Sequence, residues 1–449
     1  MGSHADDAGT EIERAVTRSL DAWLSGEGPP VDLEALAARA AGARLATAVV
    51  QVPALRALFA LEAGDHAVGL ACARRASLMG RTEAIPAAEC LANLALARAR
   101  RYNRQAHLAV RIVEALEQTA SPAWRAWLDW ERLLAGAEVP DGASLASGPA
   151  AALWSLLAAA KAGDQGGFAR HAEALAAATT MAPFRREANV LIEALNPFEA
   201  AADTVTPDGA GHDQLQAWRR GEAPLPPALL HGLLLPGGSP ECGACVVLWP
   251  DGRSARFLST GIPLLDGRGV ERLPPSRRQN GRLETLLAIL ALAGPAGLDE
   301  ATCFSRAYGF NYVPGLHRGV FDVLVHRARA AVEGLATLAR EPGRLALTAA
   351  RPLLLFDPRA SRSTTDRVLR LLAEQGRASA KEAAARLGLS LRAAQGALSE
   401  LAGSHACVVE RDGRSITYAV EDSVFSEPTG RLTRGQAALR GNEFGAAGA

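Results

Sequence analysis

Arginine is the residue type in this sequence best suited to chemistry, and the chemistry it favours is anion binding. The chain carries 46 arginines but only two lysines, Lys161 and Lys381. A guanidinium is planar, stays charged at physiological pH, and offers paired N–H donors that match phosphate oxygens and the edge of guanine. Several arginines stand close together near the C-terminus: Arg318, Arg327 and Arg329 in one stretch, Arg392 in a second, and Arg411 and Arg414 around a turn. Ser390, Gln395 and Ser399 accompany the second stretch and can also contact phosphates or base edges. Solvated helix charges are the plainer reading of the same arginines, and both readings stay open here.

Other chemistry is poorly provided for. A phosphate-cradling Walker loop needs Gly-Lys-Ser/Thr, and both lysines follow alanine. Neither His-Glu-x-x-His nor Gly-x-Ser-x-Gly occurs. The expectation is therefore a protein that is not an enzyme, with no cofactor and no metal. Cys242-Gly-Ala-Cys245 has a metal-like spacing, but tetrahedral zinc needs two more ligands. Cys303, Cys407, His212 and His231 would have to converge through folding, and the bland alternative is a pair of half-buried strand cysteines. His317 and His326 lie in the first arginine stretch, either as phosphate contacts or as structural imidazoles. Trp124, Trp127 and Trp130, three residues apart, line one helix face as core or as the wall of a small-molecule pocket.

The elements that position these residues follow from the chain as a whole. Its 449 residues predict two to four domains, and a hydrophobic share of 49% excludes wholesale disorder. The formal net charge is zero, yet it is sorted along the chain. Residues 276–449 carry 23 Lys+Arg against 17 Asp+Glu, so the C-terminal part is the candidate for an anionic partner. The longest apolar run, residues 286–298, is broken by Gly294 and Pro295 and is too short to span a membrane. Acidic Asp6, Asp7 and Glu11 leave no apolar signal core, and six scattered cysteines do not form a disulfide framework. A cytoplasmic protein with no membrane partner is expected.

From Glu11 to about Leu195 apolar residues recur at helical spacing, as in Leu55, Leu58 and Leu61. Ala63-Gly64-Asp65 and Ala162-Gly163-Asp164 each interrupt two such runs, and Tyr102-Asn103 does so between them. Helix, polar turn, helix at roughly 35–40 residues resembles tetratricopeptide-type repeats, whose pairs must stack on neighbours to bury their faces. The resemblance implies a surface for a partner, an effector or a second copy of the chain. An irregular helical domain remains the alternative. Pro224, Pro226, Pro227, Pro236, Gly237, Gly238 and Pro240 then mark a linker, with one short helix near residues 214–220.

Beyond the linker, residues 245–249 and 254–258 flank Pro250-Asp251-Gly252 and predict a β-hairpin. Helices are predicted over 282–293, 299–307 and about 316–339, with a second hairpin made of 345–347 and 353–356. The third helix contains Asp322-Val323, Val325, Arg327-Ala328-Arg329 and Glu333, and it resembles the DNA-reading helix of OmpR-type winged-helix regulators. That resemblance implies phosphate and base-edge contacts by Arg318, Arg327 and Arg329, with a hairpin wing at the minor groove.

A second module follows, with helices predicted over 364–374, 379–387 and 390–402 and a hairpin of 407–411 and 414–420 through Asp412-Gly413. Gly388 is placed to close its second helix and Ser390 to cap its third. Val368 to Ala373, Ala380 to Ser390, then Ala394, Leu398 and Leu401 resemble the helix-turn-helix of MarR- and ArsR-like winged helices. Arg392, Gln395 and Ser399 lie toward the exposed side of its reading helix.

The expected fold is mainly α: a helical-repeat-like domain over 1–205, a linker over 206–242, winged-helix α+β domains over 243–358 and 359–425, and a disordered tail over 426–449. Function follows from the two resemblances: a bacterial-type transcriptional regulator binding duplex DNA, its helical domain binding a partner protein, an effector or itself. The alternative is an interaction scaffold whose winged helices bind protein.

Overall fold

The computed structural model describes residues 3–83, 86–117, 120–136, 145, 148–198, 209–223, 243–274, 281–360, 363–404, 406–412 and 415–420. The expected tail, and the expected linker outside 209–223, lie outside these residues.

The described chain is mainly helical, an all-helical N-terminal region preceding an α+β region with small sheets. It opens with α1 (Ser3–Ser25), α2 (Leu33–Gly42), α3 (Ala46–Glu62), α4 (His66–Glu83), α5 (Pro86–Tyr102), α6 (Ala106–Leu116) and α7 (Arg125–Ala135). Helices α8 (Pro149–Ala162), α9 (Gln165–Ala178), α10 (Ala182–Leu195) and α11 (Gly209–Arg219) come next. Then follow β1 (Ala244–Leu248), β2 (Ser254–Leu258), β3 (Glu271–Arg272), α12 (Arg282–Ala293), β4 (Leu298–Asp299), α13 (Glu300–Tyr308) and α14 (Pro314–Ala331). Strands β5 (Ala336–Glu341), β6 (Arg344–Ala349) and β7 (Leu353–Asp357) complete the first winged helix. The second comprises α15 (Thr364–Gln375), β8 (Arg377–Ala378), α16 (Ala380–Leu387), α17 (Leu391–Gly403), β9 (Cys407–Asp412) and β10 (Ser415–Val420). No described helix is long and apolar enough to cross a membrane.

Two compact units divide the chain: residues 1–138 with 362–449, and residues 139–361. In the first, α3–α4 and α5–α6 are helical hairpins stacked on one another. The Ala-Gly-Asp turn works as its residue types require: Gly64 takes a left-handed φ of 82°, and the Asp65 carboxylate accepts the Val68 N–H at 3.1 Å. Asn103, in the α5–α6 turn, donates its amide to the carbonyls of His66 and Ala99, tying the two hairpins together.

At the centre of this stack lies a charged network. Arg98, Arg101 and Glu131 are wholly buried, and the Glu131 carboxylate accepts from Arg98 and from Arg101, each at 2.8 Å. Arg98 also lies over the rings of Trp23 and Tyr102, and Trp23 stacks on Trp127 at 4.9 Å. Within the same unit the second winged helix packs α15 on α6, and Leu108 joins its core of Val368, Leu372, Ala394 and Leu398.

In the second unit, a four-stranded sheet of order β2-β1-β7-β3 is antiparallel except for β3 beside β7. Asp357 at the end of β7 is fully buried and accepts from Arg256 at 2.8 Å and from Arg359 at 2.7 Å. Arg256 continues to the Trp218 carbonyl at 2.7 Å, which fastens α11 to the sheet. Beside this sheet, α12, α13 and α14 enclose Leu286, Leu290, Phe304, Phe321 and Val325, with β4-β6-β5 as the wing sheet.

Three sequence expectations are corrected. The predicted helix over about 316–339 ends at Ala331: Gly334 takes a φ of 80°, and Ala336–Glu341 is strand. The expected hairpin of residues 345–347 and 353–356 does not form. Strand β6 pairs with β5 around Pro342-Gly343, while β7, buried along nearly its whole length, crosses to β1 and β3. In the last hairpin Asp412 pairs with Ser415, one residue out of the expected turn, and residues 413 and 414 between them lie outside the described chain.

Candidate nucleic-acid interface

Helix α17 is built by local rules that the sequence states openly. Gly388 closes α16 in the left-handed region with φ 62°. Two residues later the Ser390 hydroxyl accepts the Ala393 N–H at 3.2 Å and starts α17. Ala394, Ala397, Leu398 and Leu401 fall on the buried face. That spacing forces Arg392, Gln395, Gly396 and Ser399 onto the opposite face, where all four are exposed. Neither Arg392 nor Gln395 has an ion pair or side-chain hydrogen bond among the described residues. Ser390 keeps its hydroxyl proton for an outside acceptor while its oxygen caps the helix.

Neighbouring elements add positive charge on solvated stems. Arg377, Lys381 and Arg386 are exposed on β8 and α16, and Arg411 is exposed on β9 opposite Ile416. Sequence reading had not singled out Arg377, Lys381 or Arg386 as contacts; their signal was their place on, or just before, the helix that precedes the reading helix. Three acidic side chains nearby are occupied. Glu382 closes a capping box with Ser379, whose backbone N–H and hydroxyl hold its carboxyl below the usual range. Glu374 pairs with Arg370, and Glu400 accepts from Thr365. Arg414 lies outside the described residues.

The first winged helix presents a different surface. On α14, Phe321, Leu324, Val325 and Ala328 are buried, so Leu324 is core. Arg318 and Arg327 are exposed without an ion pair among the described residues. Arg329 is exposed but donates its Nε–H to the Leu338 carbonyl at 3.1 Å, tying α14 to β5. The wing's own arginines are committed: Arg340 bridges Glu300 at 2.6 Å and Asp322 at 2.7 Å, and Arg344 donates to the carbonyls of Ala296 and Gly297. What α14 exposes instead is apolar. Leu316 is 75% exposed, Val320 53% and Val323 51%, with Phe310 and Val313 exposed just before them. Sequence reading missed this ridge, because spacings of three and four mark a buried helix face as readily as an exposed one.

The histidines of this stretch part company. His317 accepts the Val313 N–H on Nδ1 at 2.9 Å and stacks on Phe304 at 4.8 Å, a structural role, whereas His326 is exposed. Trp127 and Trp130 are core residues. Cys245 is buried in β1, and burial pushes the Cys303 thiol up to about 12 and the Cys90 thiol up to about 11. Both therefore stay protonated and unreactive at neutral pH. Cys242 and His231 lie outside the described residues. Among the described residues no three His, Cys, Asp or Glu side chains gather as a metal-ligand set.

The nine residues singled out in the sequence thus form two groups. Arg318, Arg327 and Arg329 belong to one compact unit; Ser390, Arg392, Gln395, Ser399 and Arg411, with Arg414, belong to the other. No protein-family model, no curated protein and no solved structure matches the chain.

Proposed function

We propose that this chain is a DNA-binding transcriptional regulator whose second winged helix, MarR/ArsR-like in plan, reads duplex DNA with α17. The observation that carries the reading is the outer face of that helix. Arg392, Gln395 and Ser399 stand exposed around Gly396, while the opposite face is a complete apolar core. In the major groove Arg392 suits the guanine O6/N7 edge or a phosphate, and Gln395 suits adenine N6/N7. The lack of a side chain at Gly396 lets the helix backbone approach closely. Ser390 and Ser399 offer hydroxyls to phosphates, and Arg411, exposed on β9, and Arg414 act as further phosphate contacts in this reading. The OmpR-type-like first module adds Arg318, Arg327 and Arg329 as phosphate contacts in this reading. The tetratricopeptide-like N-terminal helices serve a partner, an effector or self-association.

The test is fluorescence-anisotropy binding of labelled duplex DNA to the full chain and to a double variant, Arg392→Ala with Gln395→Ala. Affinity is expected to fall by about tenfold or more, since each good base contact contributes about 1–3 kcal/mol. Unchanged affinity contradicts the assignment of α17.

One observation favours a second reading, an interaction scaffold whose winged helices bind protein. It is the apolar ridge of α14, which occupies the position of a reading helix yet shows the grooves mostly aliphatic side chains. That reading predicts no DNA affinity even at low salt.

A further inference from the structure

The ridge of α14 is an exposed apolar patch of a size that is often functional. At 100° per residue, Leu316, Val320, Val323 and Arg327 fall within an arc of about 60°. Phe310 and Val313 extend the patch beyond the helix N-terminus. Together the five apolar residues expose roughly 450 Å², within the range of patches that mark interaction sites. A standard interface takes about 800 Å² from each partner, so this ridge with a polar rim is of the right order for one.

We propose that the ridge is the interface between two copies of this chain, with the two α14 helices packed antiparallel across a two-fold axis. The choice of occupant comes from the way the ridge complements itself. Along the helix its N-terminal end is Leu316, its middle is small (Gly319, Val320), and its C-terminal end is Val323, with the Arg327 guanidinium beyond it. Antiparallel pairing centred between Gly319 and Val320 sets Leu316 against Val323 of the second copy. Val320 then faces the recess at Gly319 of that copy, where a Cβ would meet nothing within 4 Å.

An isologous contact makes every one of these matches twice. The whole chain is also formally neutral, so two copies meet without long-range repulsion. DNA is the poorer occupant: three aliphatic side chains on the leading ridge find few apolar partners in a major groove beyond thymine methyls.

The experiment is sedimentation velocity on the full chain from about 1 μM to about 100 μM, for the wild type and for Val320→Arg. A wild-type dimer whose dissociation constant rises at least about tenfold in Val320→Arg is the expected result. A wild type that stays monomeric throughout overturns the proposal, and so does a dimer that Val320→Arg leaves intact. Circular dichroism checks that the variant is folded. If it is not, Val320→Cys replaces it: diamide should then give a disulfide-linked dimer absent from the wild type treated alike, and failure to cross-link overturns the proposal.

Discussion

At the scale of single residues, what an arginine does here depends on what already holds it. Arg340 is locked between Glu300 and Asp322, whose hydrogen bonds push its pKa upward, so little of its charge is left for a ligand. Arg392 faces solvent with no such partner among the described residues. Arg392→Ala should therefore weaken DNA binding by about tenfold to a hundredfold, and Arg340→Ala should leave it nearly unchanged while lowering stability; anisotropy titrations and thermal melts of the two variants separate these effects. Glu131 is a case of pure structure. Glu131→Ala removes the 2.8 Å carboxylate partner shared by Arg98 and Arg101, while Glu62 stays beside Arg98, and should cost about 3–5 kcal/mol in a urea melt, since breaking a buried ion pair is among the costliest single defects. Asp357 sets a pH dependence. Burial alone would raise its carboxyl, but Arg256 and then Arg359 outweigh burial and hold it below the ordinary range. The folded pKa is depressed, so its stabilisation is present above the unfolded value near 4 and drains away as pH falls below it. Asp357→Asn should flatten stability against pH in that acid range and destabilise the protein at pH 7, where Arg256 loses its counter-ion.

At the scale of elements, what was legible was whatever is decided locally. The second winged helix could be read almost residue by residue, because Ser363, Ser379 and Ser390 cap its three helices and Gly388 stops the second. Ser379→Ala should cost about 1 kcal/mol in a thermal or denaturant melt by dissolving the box with Glu382. The exposed trio Arg392, Gln395 and Ser399 was legible for the same reason: the core spacing of Ala394, Leu398 and Leu401 leaves them no other face. What was not legible depends on partners far along the chain. Residues 336–341 are as compatible with helix as the run before them, and only pairing with β6 makes them strand. β7 reads like the second arm of a hairpin until β1, about a hundred residues earlier, claims it. The Arg98–Glu131 network was equally hidden, since Arg98 and Arg101, one turn apart in a helix, look like a solvated face until a second helix covers them. The α14 ridge failed in the opposite sense: Leu316, Val320 and Val323 look like core and are not.

At the scale of the whole molecule, the two compact units do not follow chain order, for the second winged helix belongs with the N-terminal helices. The balance of charge does follow it: a formally neutral chain concentrates a surplus of six positive charges in residues 276–449. A surplus of that size suits a regulator that engages a few phosphates strongly enough to search duplex DNA and weakly enough to release it. The central claim, that this surplus and α17 together make a DNA-binding protein, is tested most directly by anisotropy binding of the full chain to random-sequence duplex DNA across a salt series. The account predicts binding at about 50 mM salt that falls steeply as salt rises, with a log–log slope of about −0.9 for each phosphate engaged. No binding at about 50 mM salt, below even ordinary non-specific affinity, would contradict it and leave the winged helices as protein-binding modules.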